Sequence, residues 1–169
     1  MSTTKSLLIA DVERRLCEES IPRIEKCLNT LNENDLWWRP NDSGNSIANL
    51  ILHLNGNVRQ WIFSGLLGAK DMRTRSLEFS SRNNHAKTEL NDILTNLSVD
   101  LKKKLPLLHD IDLSQEKTIQ GFEENGVSIL MHVVEHFSYH TGQIALLTKA
   151  MKNKDLGFYG NSHLNDLNP

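Results

Sequence analysis

Cysteine is nearly absent from this 169-residue chain: Cys17 and Cys27 are the only two. If both lie in one helix, their ten-residue separation puts them about 15 Å apart at the helical rise, well beyond disulfide reach. Two unpaired thiols point to a reducing compartment, and the fold must hold together without covalent staples. There is no excess of positive charge either, with 19 Lys and Arg against 21 Asp and Glu and a formal net charge of -2. That balance excludes general nucleic-acid binding, which rests on neutralising phosphates. Long apolar runs are missing as well. The N-terminal MSTTKSLLIADVERRL turns charged after a few apolar residues, which fits neither a signal peptide nor a membrane span. The expectation is a cytoplasmic protein with no membrane partner. No repeat and no low-complexity segment is visible.

What remains is the composition of an ordinary globular protein, 38% hydrophobic and 24% charged. A chain of this length fits one domain, residues 1–169, with enough core to fold unaided. Its apolar residues recur at helical spacing in four long segments. From Leu7 to Leu31 the stripe is Leu8, Val12, Leu16, Ile24 and Leu28, interrupted by Pro22, where a kink or a division into two short helices is expected. A loop, Glu33 to Gly44, follows and anchors Trp37 and Trp38. Those rings are expected to cover one end of the core; the alternative use is the wall of a ligand pocket. A second helix is capped by Asn45 or Ser46 and carries Ile47, Leu50, Ile51, Leu54, Val58 and Trp61.

After Gly68 the chain becomes charged and poor in core residues, as expected of an exposed crossover. The third helix spans roughly His85 to Leu105 and ends before Pro106. Its Lys102 to Lys104 run suits the negative end of a helix dipole. Residues Leu107 to Asn125 alternate in polarity and predict a short extended segment, after which Asn125 or Gly126 opens the last helix. Four amphipathic helices and one long connection predict an all-α, antiparallel four-helix bundle.

The chemistry concentrates in the last helix, where His132, His136 and His140 recur every four residues. His136 and His140 fall on the same stripe as Ile129, Val133, Phe137 and Ile144, so groups able to ligate a metal face the expected core. Histidines at i and i+4 can share one ion, whereas His132 and His140 would stand roughly 12 Å apart along the axis. At most one adjacent pair of the three can therefore do so. His53 lies inside the second helix between Leu52 and Leu54. From a neighbouring helix it can meet that pair and complete a set of three neutral nitrogens with open positions.

The stretches SIANLILHLNGN at Ser46 to Asn57 and EHFSYHTGQI at Glu135 to Ile144 resemble the DinB-like, or YfiT-like, superfamily of metal-binding four-helix bundles. Met72 to Phe79 (MRTRSLEF) and Asp155 to Tyr159 (DLGFY) are similar to recurring stretches of an uncharacterised branch. The resemblance spans nearly the whole chain. It implies that His53, His136 and His140 are the metal ligands and that His132 is a neighbour.

It further implies a divalent transition metal, zinc first, with nickel and iron also compatible with three histidines. Many members carry arginine directly after the last ligand; here that residue is Thr141, so an anionic substrate loses one partner. The resemblance points to a metal-dependent enzyme that activates a low-molecular-weight thiol, such as mycothiol, bacillithiol or glutathione, for transfer to a small-molecule substrate. The alternatives are a hydrolase that activates water, and a non-catalytic, stress-related binding protein with a structural or vestigial metal. Three ligands without sulfur argue against a purely structural zinc. Arg73 and Arg75 are candidates for a substrate carboxylate or simply solvated, and Gln143 is a candidate hydrogen-bond partner of a ligand. Pairing into a homodimer is also implied.

Overall fold

The computed structural model describes residues 3–160 and 164–167. Its helices start where the sequence supplies caps. Ser46 Oγ accepts the Asn49 amide while Asn49 Oδ1 accepts that of Ser46, a reciprocal box at the start of α4 (Ile47–Val58). Asn125 Oδ1 accepts the Ser128 amide and opens α7 (Gly126–Lys152), which ends where Asn153 takes left-handed geometry, φ 46°.

The first rod joins α1 (Thr4–Glu13) to α2 (Ile21–Thr30) through π-helical turns at Arg14–Ser20. These turns lie just before Pro22, which has no N–H to donate and crowds the preceding turn. The expected interruption is therefore a widened stretch of one rod. A short α3 (Glu33–Leu36) follows, and then α4, which continues as π-helical turns over Arg59–Leu66. The crossover carries α5 (Arg75–Ser80) and leads to α6 (Lys87–Lys104), extended by a 3-10 segment, Leu105–Asp110. The predicted extended segment is an antiparallel hairpin, β1 (Glu116–Ile119) and β2 (Phe122–Asn125), with Glu116 opposite Asn125 and Ile119 opposite Phe122.

Polar contacts between rod ends fix their directions. Lys5 Nζ donates to the carbonyls of His109 and Ile111, and Lys87 Nζ to that of Leu31, so the first and third rods are antiparallel. Trp61 Nε1 donates to Gln120 Oε1, which brings the end of the second rod to the start of the fourth. Lys152 pairs with Asp35, leaving the fourth rod parallel to the first. The bundle is all-α in its core and runs up, down, down, up, because the long crossover lets the third rod travel in the same direction as the second. The small hairpin packs against the second rod at Gly65, where a Cβ would run into Ile119.

One continuous core includes Leu16, Ile24, Leu54, Leu97, Val133 and Ile144, each fully buried. Trp37 packs against it and donates Nε1 to the His85 carbonyl, but Trp38 is 44% exposed, so only the first of the two rings covers the core. Both cysteines are buried and unpaired, and burial raises both thiol pKa values. Outward, α7 leaves Met131, Tyr139 and Leu146 exposed. No helix among the described residues is long and apolar enough to cross a membrane.

Leu97 sits on the third rod, away from the histidines, so its truncation tests the core alone. Leu97→Ala is expected to cost about 2–5 kcal/mol in chemical denaturation. A loss below about 1 kcal/mol would mean that the third rod is not packed as described.

Candidate metal centre

Helix periodicity brings the predicted histidines together. His53 on α4 and His136 and His140 on α7 each offer one ring nitrogen, and these three atoms lie within 4.8 Å of one another. His53 and His140 are buried and His136 is half-buried. The Nε2 atoms of His53 and His136 stand 2.8 Å apart, and the His53 ring meets the His136 and His140 rings edge-on, at 4.9 and 5.1 Å between centroids.

Two of the rings are oriented from behind. His53 Nδ1 lies 2.8 Å from Glu78 Oε2, and His140 Nδ1 lies 2.7 Å from Gln143 Oε1. Both partners are acceptors, so each Nδ1 carries a proton, and the neutral form of each ring has its lone pair at Nε2. The donor set therefore fits a divalent transition metal: three neutral imidazole nitrogens converge on one point, and Gln143 is the partner expected of it.

Glu78 was not visible as part of the site in the sequence. The crossover that looked exposed folds back as α5 and buries this carboxylate against α4. Arg73 brackets it, with Nε 2.7 Å from Oε1 and Nη2 2.9 Å from Oε2, and the Arg73 side chain is only 3% exposed. Arg73 Nη1 also donates to Gln60 Oε1, 2.9 Å away, from the π-helical turns. Arg73 Nη2 comes within 3.1 Å of His53 Nδ1 as well. With a proton on Nδ1 both groups are donors, so both direct their hydrogens to Glu78. Burial pushes the Glu78 pKa up, but hydrogen bonds from Arg73 and His53 outweigh it and hold the carboxyl below its ordinary range.

Two features let α5 come this close. Asn49 Nδ2 donates to the carbonyls of Glu78 and Ser81, at 2.7 and 3.2 Å, while Arg39 Nη2 bridges Asn49 Oδ1 and the Phe79 carbonyl. Gly56 provides the room: a Cβ there would overlap Glu78 Oε1 and sit 3.0 Å from Arg73 Nε. The glycine, one turn beyond His53, was the available sequence signal for a close approach at this point.

His132 is drawn into the surroundings of the cluster. Its ring lies tilted against Trp61 at 4.1 Å and stacks on His136 at 5.4 Å between centroids, and its Nε2 lies 3.4 Å from Asn57 Nδ2. Phe79 approaches His53 at 4.7 Å and Tyr139 approaches His140 at 5.0 Å. Arg75, unlike Arg73, is exposed and lies over the Phe79 ring at 4.9 Å. Burial lowers the pKa of His132, His136 and His140; at His136 burial comes first, and repulsion from His140, His53 and His132 adds to it, taking the group down to about 3. The pocket is thus built for neutral imidazoles.

Residues 8–159 match the family described as "Protein of unknown function (DUF1572)". No curated protein matches the chain. Among solved structures, a DinB-like protein from Bacillus cereus ATCC 10987 shares the fold, with a TM-score of 0.60 at 16% identity. The match covers 79% of this chain and 87% of that one.

Two expectations follow from this geometry. Gly→Ala inside a helix ordinarily gains about 1 kcal/mol, but Gly56→Ala is expected to destabilise the protein by about 1–3 kcal/mol, because Glu78 and Arg73 must move. A gain in the denaturation midpoint would contradict the close approach. In the metal-free protein the unfolded chain protonates His136 near its ordinary 6.5, and the folded chain only near 3. Stability is therefore complete above pH 6.5 and falls as the pH drops, by up to about 1.4 kcal/mol per unit from this residue. His132 and His140 act in the same direction. Urea midpoints at pH 7 and pH 5 check this, and a higher midpoint at pH 5 would contradict it.

Proposed function

We propose that this chain, which belongs to the DUF1572 family and carries the DinB-like bundle, is a divalent-metal protein that activates a low-molecular-weight thiol for S-transfer. The observation that carries the metal reading is the convergence of three ring nitrogens within 4.8 Å, two of them on rings held by acceptors at Nδ1. In that reading His53, His136 and His140 are the ligands. When bound, the ion would supply a Lewis acid that lowers the pKa of a coordinated thiol or water near neutral pH.

The residues around the cluster support a reactive centre. Glu78 fixes the tautomer of His53 and increases its basicity as a donor, and Gln143 orients His140 in the same way. Trp61 and Phe79 pack apolar rings beside His132 and His53, keeping bulk water from those faces. Arg75 holds a guanidinium one ring away from His53 with no carboxylate partner among the described residues, a suitable anchor for the carboxylate of a thiol cosubstrate. It offers the positive charge missing at Thr141. A set of three nitrogen ligands is also more typical of a site with an exchangeable position than of a closed structural zinc.

Elemental analysis of protein never exposed to a nickel column is expected to find about one transition-metal ion per chain. His53→Ala should lose it, and Glu78→Gln should retain it with about 10–100-fold weaker affinity. The loaded protein should then conjugate bacillithiol, mycothiol or glutathione to 1-chloro-2,4-dinitrobenzene. Absence of metal after reconstitution, or full metal content in His53→Ala, would overturn the site. A metal-loaded protein that hydrolyses ester substrates and transfers no thiol would replace thiol activation with water activation.

A further inference from the structure

Behind the Glu78–Arg73 pair, on the side of α4 away from the histidine nitrogens, lies a cleft of about 630 Å³. This falls within the range of roughly 300–1,000 Å³ usual for small-molecule sites. None of the three clustered histidines lines it. Its walls are the outer face of α4 with the following π-helical turns, the crossover, and the end of α6. Leu52, Phe63 and Ala69 provide apolar lining, and Met72 and Leu77, also in the lining, are large apolar side chains 75% and 60% exposed.

The charges around this cleft are unevenly committed. Its two carboxylates already have partners: Glu78 is held by Arg73 and His53, and Asp71 accepts Gln60 Nε2 and the Arg73 amide. Arg59 is likewise occupied by Asp100 and Asn55. Lys70 and Lys104 are not. Lys70 has no hydrogen-bond or ion-pair partner among the described residues, and the Lys104 ammonium only overlies the Phe63 ring at 5.1 Å. Both belong to one end of the cleft, since the Ala69 amide donates to the Phe63 carbonyl at 2.9 Å and so holds Lys70 beside that residue. The result is a largely apolar cleft bordered by two lysines whose ammonium groups have no carboxylate partner among the described residues, in a protein of net charge -2.

We infer that this cleft is a binding site for a small amphipathic carboxylate, with the anion between Lys70 and Lys104 and the apolar body along Leu52, Phe63 and Leu77. A cationic or purely polar ligand would leave one half of this surface unsatisfied: either the ammonium groups would repel it, or the apolar lining would stay wet. The site is separate from the histidine cluster and does not depend on the metal reading. The shared wall is the buried Glu78–Arg73 pair.

The test uses the full chain and two probes, the fluorescent anion 8-anilinonaphthalene-1-sulfonate as reporter and decanoate as competitor. The reporter is expected to bind one per chain and to be displaced by decanoate but not by decylamine. The double variant Lys70→Glu/Lys104→Glu should weaken both anions by about tenfold or more, with an unchanged helical circular-dichroism spectrum. Lys70→Gln/Lys104→Gln should give an intermediate loss. Absence of saturable reporter binding, equal affinity in the charge-reversed variant, or displacement by decylamine as effective as by decanoate would each overturn the assignment.

Discussion

The candidate site depends on one buried carboxylate. Glu78 sits between the His53 ring and the Arg73 guanidinium, and without those two partners its burial would cost several kcal/mol. With them it fixes the tautomer of His53, directs Nε2 toward α7, and holds the crossover onto the bundle. Each neighbouring feature serves this placement: Gly56 clears the space, Asn49 and Arg39 hold the backbone of α5, and Gln60 steadies Arg73. An ion pair this buried adds little net stability compared with apolar packing, and its value lies in orientation.

The second constraint is charge. Burial disfavours protonation of the three histidines on α7, so these rings present lone pairs where solvated imidazoles would present a mixture of states. The aromatic neighbours reinforce this by displacing water from the ring faces. A bundle core is suited to the task because facing helices are stiff, and groups projecting from two rods keep their separation when a ligand exchanges.

Much of this was legible in the chain. The 3.6-residue period locates all four rods, the alternative caps Asn45 or Ser46 and Asn125 or Gly126 resolve to Ser46 and Asn125, and the apolar helices set His53 against one adjacent pair of the α7 histidines, of which the family resemblance selects His136 and His140. The π-helical turns were not legible beyond the proline that one of them precedes, because a widened turn leaves the apolar period almost intact. The crossover was misjudged for a different reason. Met72 to Phe79 is polar in composition, and burial there comes from the pairing of Glu78 with Arg73 and His53, which hydrophobic patterning does not register. Arg73 thus reads as a substrate-carboxylate anchor or a solvated residue, whereas its side chain is 3% exposed and committed to Glu78. Trp38 failed in the opposite sense: an apolar ring was expected inside, and the loop turns it outward while Trp37 takes the core position and the hydrogen bond to His85.

What surrounds a bound ion decides whether His53, His136 and His140 are its ligands. X-ray absorption spectroscopy of the zinc-loaded protein tests this most directly, because it counts and identifies the donor atoms without assuming a reaction. Three imidazole nitrogens at about 2.0–2.1 Å with an additional light exchangeable ligand is the predicted shell. A sulfur scatterer at about 2.3 Å, or a shell of oxygens with no imidazole signature, would contradict it.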